Sequence, residues 1–233
     1  MNHVEDLLRR VEALEERDGY VDALDITVSA CTAHPDEPVF WDTRGDLALK
    51  CGRADEAAAA FEQLLRLEPD AGDAWFGLGE AHQWQGHHAA AESCFARAAA
   101  LDHERYVVPI RVTPKRFDEL VGGVLRTLPA NIVDFLERSG TSITAMPRPA
   151  RELVVEDHLD PHALGYWRGN PFGVSGGGLD GLSPGAAVEI YQLNIENWCA
   201  DEARLREEVR RTVLHEIGHA VGMDHDLLDE DGY

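Results

Sequence analysis

Near the end of the chain, His215-Glu216-Ile217-Gly218-His219 assembles residue types that can do chemistry on a water molecule. On a helix, side chains four residues apart lie one above the other on the same face, so the two imidazoles can share one metal ion. Glu216, one position round the helix from His215, can sit beside that ion without binding it and take a proton from water that the metal has acidified. The pattern runs on, because Gly222 follows His219 by three residues and His225 by six. A glycine accepts the left-handed conformation, which ends a helix and can turn the chain back until a side chain just beyond it reaches the same ion. The candidate ligands are His215, His219 and His225, with Asp224 and Asp226 as alternatives for the third place. Three protein ligands leave one position open, which separates a catalytic zinc site from a closed structural one. Histidine nitrogens suit several first-row ions, and this motif favours Zn2+.

The motif needs a rigid carrier. Asp201 is a helix cap, and Leu205, Val209, Val213, Ile217 and Val221 recur every four residues as a buried stripe. The two histidines fall off that stripe, on a face with Glu208 and Thr212, so one side of the helix packs while another presents ligands. Upstream, Thr113 followed by Pro114 starts a helix whose apolar face is Phe117, Leu120, Val121, Val124 and Leu125. A second helix runs from Pro129 to Gly140. Strand signals then appear at 141–144, 152–156, 163–168 and 187–195, implying a small mixed sheet. The stretch Ala163 to Arg168 is the expected edge strand beside the site, where an extended substrate would be held by main-chain bonds. Residues 169–185 contain seven glycines and read as a surface loop. Gly176, Gly178 and Gly181 spell a dinucleotide fingerprint, but Ser183-Pro184-Gly185 and a strand follow where a helix would have to begin.

The first hundred residues repeat. A shift of 34 places Trp41 on Trp75, Gly45 on Gly79, Gly52 on Gly86, Ala57 on Ala91, Phe61 on Phe95 and Leu67 on Leu101. A weaker copy precedes them, so about three units fill residues 1–105. Small residues let paired helices approach while the aromatics fill between them. No single pair can bury its apolar face, and stacking supplies the core. The period and the residue types resemble the tetratricopeptide repeat, which implies a concave face for a protein partner. His82, His87 and His88 lie near the turn after Gly86 and read as surface residues.

Charge narrows the partners. The chain has 233 residues with 21 basic against 43 acidic, a net charge of −22. Split after Arg105, the first part holds 9 basic and 22 acidic residues and the second 12 and 21. Neither offers a basic stripe for nucleic acid. The four cysteines form no Cys-x-x-Cys pair, which argues against a disulfide framework or thiolate zinc. No signal peptide or membrane-length apolar run is present, so the expectation is a cytoplasmic protein without a membrane partner.

The run from His215 to His225 looks like the extended metzincin motif. With Leu164-Gly-Tyr-Trp-Arg-Gly169, Val188-Glu-Ile-Tyr191 and the stretch from Glu202 to His219, residues 113 to 230 resemble a bacterial family of minimal zincin-like metallopeptidases. The resemblance implies an α+β domain over 106–233, zinc on His215, His219 and a third residue, Glu216 as general base, and peptide bonds as substrate. Two departures stand out. No methionine follows His225 to form the metzincin turn, and the minimal family commonly has an acidic residue at the third-ligand position. Tyr166, His158, His162 and Tyr191 are the candidates to assist the oxyanion. The expected whole is all-α repeats followed by an α+β zinc peptidase. The alternative is a non-enzymatic adaptor whose C-terminal domain a metal merely stabilises.

Overall fold

The structure is a computed structural model that describes residues 3–169 and 186–221. Gly222, Asp224, His225, Asp226 and nearly all of the glycine-rich stretch, for which the sequence sets expectations above, lie outside the described residues. Contacts divide the chain into two compact units, Met1–Pro109 with Ala150–Pro161, and Ile110–Pro149 with His162–Tyr233.

The first unit is built of helix pairs. They are α1 (His3–Glu15) with α2 (Tyr20–Ala33), α3 (Pro38–Lys50) with α4 (Ala54–Leu67), and α5 (Gly72–Trp84) with α6 (His88–Leu101). The sequence repeat is a repeat of contacts. Trp41 donates its indole N–H to the Pro35 carbonyl at 2.8 Å, and Trp75 does the same to Pro69 at 2.9 Å. A Cβ on Gly45 would stand 2.5 Å from the Phe61 ring, and one on Gly79 would stand 2.7 Å from Phe95. The second and third pairs therefore each need a glycine on the first helix to admit the aromatic of the second. Phe61 joins Leu24, Leu47, Leu64 and Leu78 in one core.

The second unit contains α7 (Pro114–Leu125), α8 (Ala130–Ser139), β1 (Ser142–Met146), β2 (Gly165–Arg168), β3 (Ala187–Tyr191), a short α10 (Gln192–Glu196) and α11 (Glu202–Ala220). Here α9 (Arg151–Glu156) is absent, because it belongs to the first unit. Thr113 caps α7 by accepting from Arg116 N, and Gly140 ends α8 at φ 63. The sheet has the order β1-β3-β2, with β1 parallel and β2 antiparallel to β3. Val188 and Ile190 of β3 meet Phe117 and Leu120 of α7 and the stripe Leu205, Val209, Val213 and Ile217 of α11 in one core.

Two expectations are corrected. Residues 152–156 are helical, with Leu153 and Val154 buried. Leu-Val-Val is a run without alternation, and its packing in the first unit selects the helix: Arg151 Nε donates to the Gly52 carbonyl at 3.1 Å. The strand expected over 187–195 stops at Tyr191, because Gln192 and Asn194 spend their amides on the Val112 and Ala163 carbonyls at 2.9 and 2.7 Å. By contacts, residues 150–161 group with the first unit, on the far side in sequence from the boundary expected after residue 105.

Candidate metal centre

Asp201 starts α11 by accepting from Arg204 N at 2.8 Å. From there Leu205, Val209 and Val213 are fully buried and Ile217 is 4% exposed, so this stripe sets the rotation of the helix. That rotation leaves His215 and His219 half-buried on a neighbouring face, where their rings stand edge to face with centroids 4.7 Å apart. Their Nε2 atoms lie 3.1 Å apart. An ion bonded to both at about 2.0–2.1 Å in tetrahedral geometry would separate them by roughly 3.3 Å, so the donor pair fits one first-row metal. Among the described residues no third His, Cys, Asp or Glu completes a metal-holding group.

Glu216 is 8% exposed. Burial pushes its carboxyl up to about 7, and the Trp167 backbone N–H, which donates to it, draws it partly back. The close approach comes from β2: a Cβ on Gly165 would stand 2.7 Å from Glu216 Cγ and 2.9 Å from Thr212 Cγ2. In turn β2 is held by the β3–α10 junction, where Tyr191 N donates to the Leu164 carbonyl at 2.8 Å and Asn194 to that of Ala163.

Between β2 and α11 lies a cavity of about 300 Å³. Ala163, Leu164 and Gly165 form one wall, and Glu208, Arg211, Thr212, His215 and Glu216 form the other. β2 is at the edge of the three-stranded sheet, as its stretch was expected to be.

Two comparisons bear on this geometry. A family model described as zincin-like metallopeptidase matches residues 140–233. One described as tetratricopeptide repeat matches residues 43–104. The chain carries a zincin-like metallopeptidase domain behind tetratricopeptide repeats. Among solved structures, the first tetratricopeptide repeat domain of Spaghetti (RPAP3), bound to the HSP90 peptide SRMEEVD, is similar over 42% of this chain and 78% of its own. The identity there is 17% and the TM-score 0.41. No curated protein matches the chain.

Within the zincin-like domain the expected assisting residues scatter. Tyr191 is fully buried and donates to Glu189 at 3.0 Å. Burial, then the charge of Glu189, raises its phenol, and Glu216 adds to the rise. Tyr166 sits half-buried on β2 opposite Glu189. His162 is half-buried just before β2. His158 belongs to the first unit, its ring against Tyr20 at 5.7 Å. Reading the sequence missed the Trp167 N–H and the role of Gly165. A glycine inside the strand pattern was the available signal, since it marks close backbone approach. The four cysteines are buried with raised thiol pKa values, those of Cys94 and Cys199 at about 11, which makes them inert. No helix among the described residues is long and apolar enough to cross a membrane.

Proposed function

We propose that the chain is a zinc-dependent metallopeptidase of the cytoplasm whose repeats recruit a substrate or partner protein. Zn2+ would be held by His215, His219 and His225, with Asp224 or Asp226 as the alternative third ligand. When bound, zinc supplies Lewis acidity toward water and toward the carbonyl to be cleaved. Glu216 takes a proton on its carboxylate from the attacking water and delivers it to the leaving amine nitrogen. Burial raises the Glu216 carboxyl in the metal-free chain, and a bound divalent cation would favour the carboxylate that accepts the proton. Burial between α11 and β2 shields it from bulk water, and the Trp167 N–H fixes its orientation. The edge strand β2 offers main-chain groups to an extended peptide, which places the scissile bond beside α11.

The observation that carries this reading is the pair of Nε2 atoms 3.1 Å apart, one of them on His215, which lines a cavity together with the buried Glu216. An adaptor with a purely structural metal has no use for that carboxylate. The test is zinc content and turnover of a mixed peptide digest, compared between the wild type and Glu216→Gln. The reading expects one zinc in both and cleavage by the wild type alone. Equal behaviour in the cell with no cleavage by either would favour the adaptor.

A further inference from the structure

The cavity beside the histidines has a second chemical end. Arg211 precedes His215 by four residues, as His215 precedes His219, so the three share one face of α11. At about 1.5 Å per residue, Arg211 stands roughly 6 Å along the helix axis from His215. It lines the same cavity, and its side chain is 48% exposed.

Glu208 lies beside it, 8% exposed. Its carboxylate is 3.0 Å from Arg204 and 3.8 Å from Arg211. Two guanidinium groups thus face one buried carboxylate, and the pairing with Arg211 is the longer. Glu208 Oε2 has no well-directed hydrogen bond, so the approach of Arg204 to it is electrostatic rather than directional. Arg211 is thus only loosely paired with this carboxylate, and it lines the cavity with about half of its side chain exposed. The facing wall, Ala163 and Leu164, carries no charge to oppose an anion. On a chain with a net charge of −22, Arg211 supplies a guanidinium to a cavity that Glu208 and Glu216 also line, four residues along α11 from His215. A planar guanidinium with spare donors beside an apolar wall matches a carboxylate.

We propose that Arg211 is a specificity residue that binds a substrate carboxylate, either an acidic side chain or the free end of the peptide, within about two residues of the bond cleaved. This rests on the peptidase reading above, since it takes the cavity to be a substrate subsite. Glu208 is a positioning residue that orients the guanidinium.

The test separates binding from turnover. Zinc-loaded full-length Glu216→Gln is titrated calorimetrically with four peptides: acetyl-Ala-Ala-Asp-Ala-Ala-amide, acetyl-tetraalanine with a free carboxylate, the lysine analogue of the first, and the all-alanine amide. At least one of the first two should bind about tenfold more tightly than the last two, as expected for one charge-assisted pair. Which of them does so identifies the side chain or the terminus as the source. The advantage should vanish in Glu216→Gln/Arg211→Ala and survive in part in Glu216→Gln/Arg211→Lys. Equal affinity for all four, a preference for lysine, no binding at all, or an advantage that outlives Arg211→Ala would overturn the proposal. Wild-type cleavage indifferent to carboxylates would sink this inference alone. Arg211-dependent binding with no wild-type cleavage would sink the peptidase reading alone.

Discussion

Gly165 of β2 and Glu216 of α11 are in such close approach that a Cβ on the glycine would stand 2.7 Å from Glu216 Cγ and 3.0 Å from its Oε1. The space a side chain would take at residue 165 is occupied by the proposed general base.

Gly165→Ala should therefore move the carboxylate without touching a metal ligand. The expected result is unchanged zinc content and a fall in kcat/KM of roughly a hundredfold, the scale of a 1 Å misplacement. Overpacking should add about 1–3 kcal/mol of destabilisation in denaturant unfolding. Full activity in Gly165→Ala would show that Glu216 is not held by this contact.

Glu216→Gln keeps the shape and removes the proton acceptor. Turnover should drop by about 10²–10⁴-fold, the usual range for loss of general acid–base catalysis. Zinc stoichiometry, measured by elemental analysis, should stay the same.

Metal content also assigns the third ligand. His215→Ala and His219→Ala should each lose most of the zinc, because the remaining donors cannot close the site. Among His225→Ala, Asp224→Ala and Asp226→Ala, one should behave like them. Retention of a full equivalent by all three would remove the C-terminal ligand from the scheme.

In the metal-free protein Glu216 should make stability depend on pH. Its pKa rises from the usual 4.5 to about 7 in the folded state, so below 4.5 both states are protonated and nothing is lost. Between 4.5 and 7 the unfolded state alone ionises and the fold weakens progressively, and above 7 both states are charged and the loss levels off. The change corresponds to an upper limit of about 3 kcal/mol. Glu216→Gln should thus gain about 2–3 kcal/mol relative to the wild type between pH 4 and 8 in chelator, read from urea midpoints. Parallel pH profiles for the two would contradict the burial argument.

Gly52 and Gly86 occupy the same place in successive repeats, at φ 64 and 78. Alanine at either pays for the left-handed conformation, about 1 kcal/mol. Only at Gly52 would the new methyl meet a neighbour, Val155 of α9 at 2.9 Å, whereas nothing lies within 4 Å at Gly86. Gly52→Ala should be the worse of the two by about 1–3 kcal/mol. Equal costs in thermal unfolding would detach α9 from the repeats.

The sequence alone determined what depends on near neighbours along the chain. Trp41 and Trp75, Gly45 and Gly79, and Phe61 and Phe95 recur every 34 positions, because each repeat solves the same packing problem. The Thr113 and Asp201 caps were equally legible, as was the separation of His215 and His219 from the buried stripe of α11, since caps and helical faces follow from local spacing. Tertiary structure decided the rest. Leu153 and Val154 became helical through burial in the first unit, and β3 stopped where Asn194 found the Ala163 carbonyl. Only the fold shows that Gly165 admits Glu216 and that Arg211 shares a cavity with His215. Both depend on β2, about fifty positions before this part of α11, and periodicity within one element carries no information about which surface will cover it.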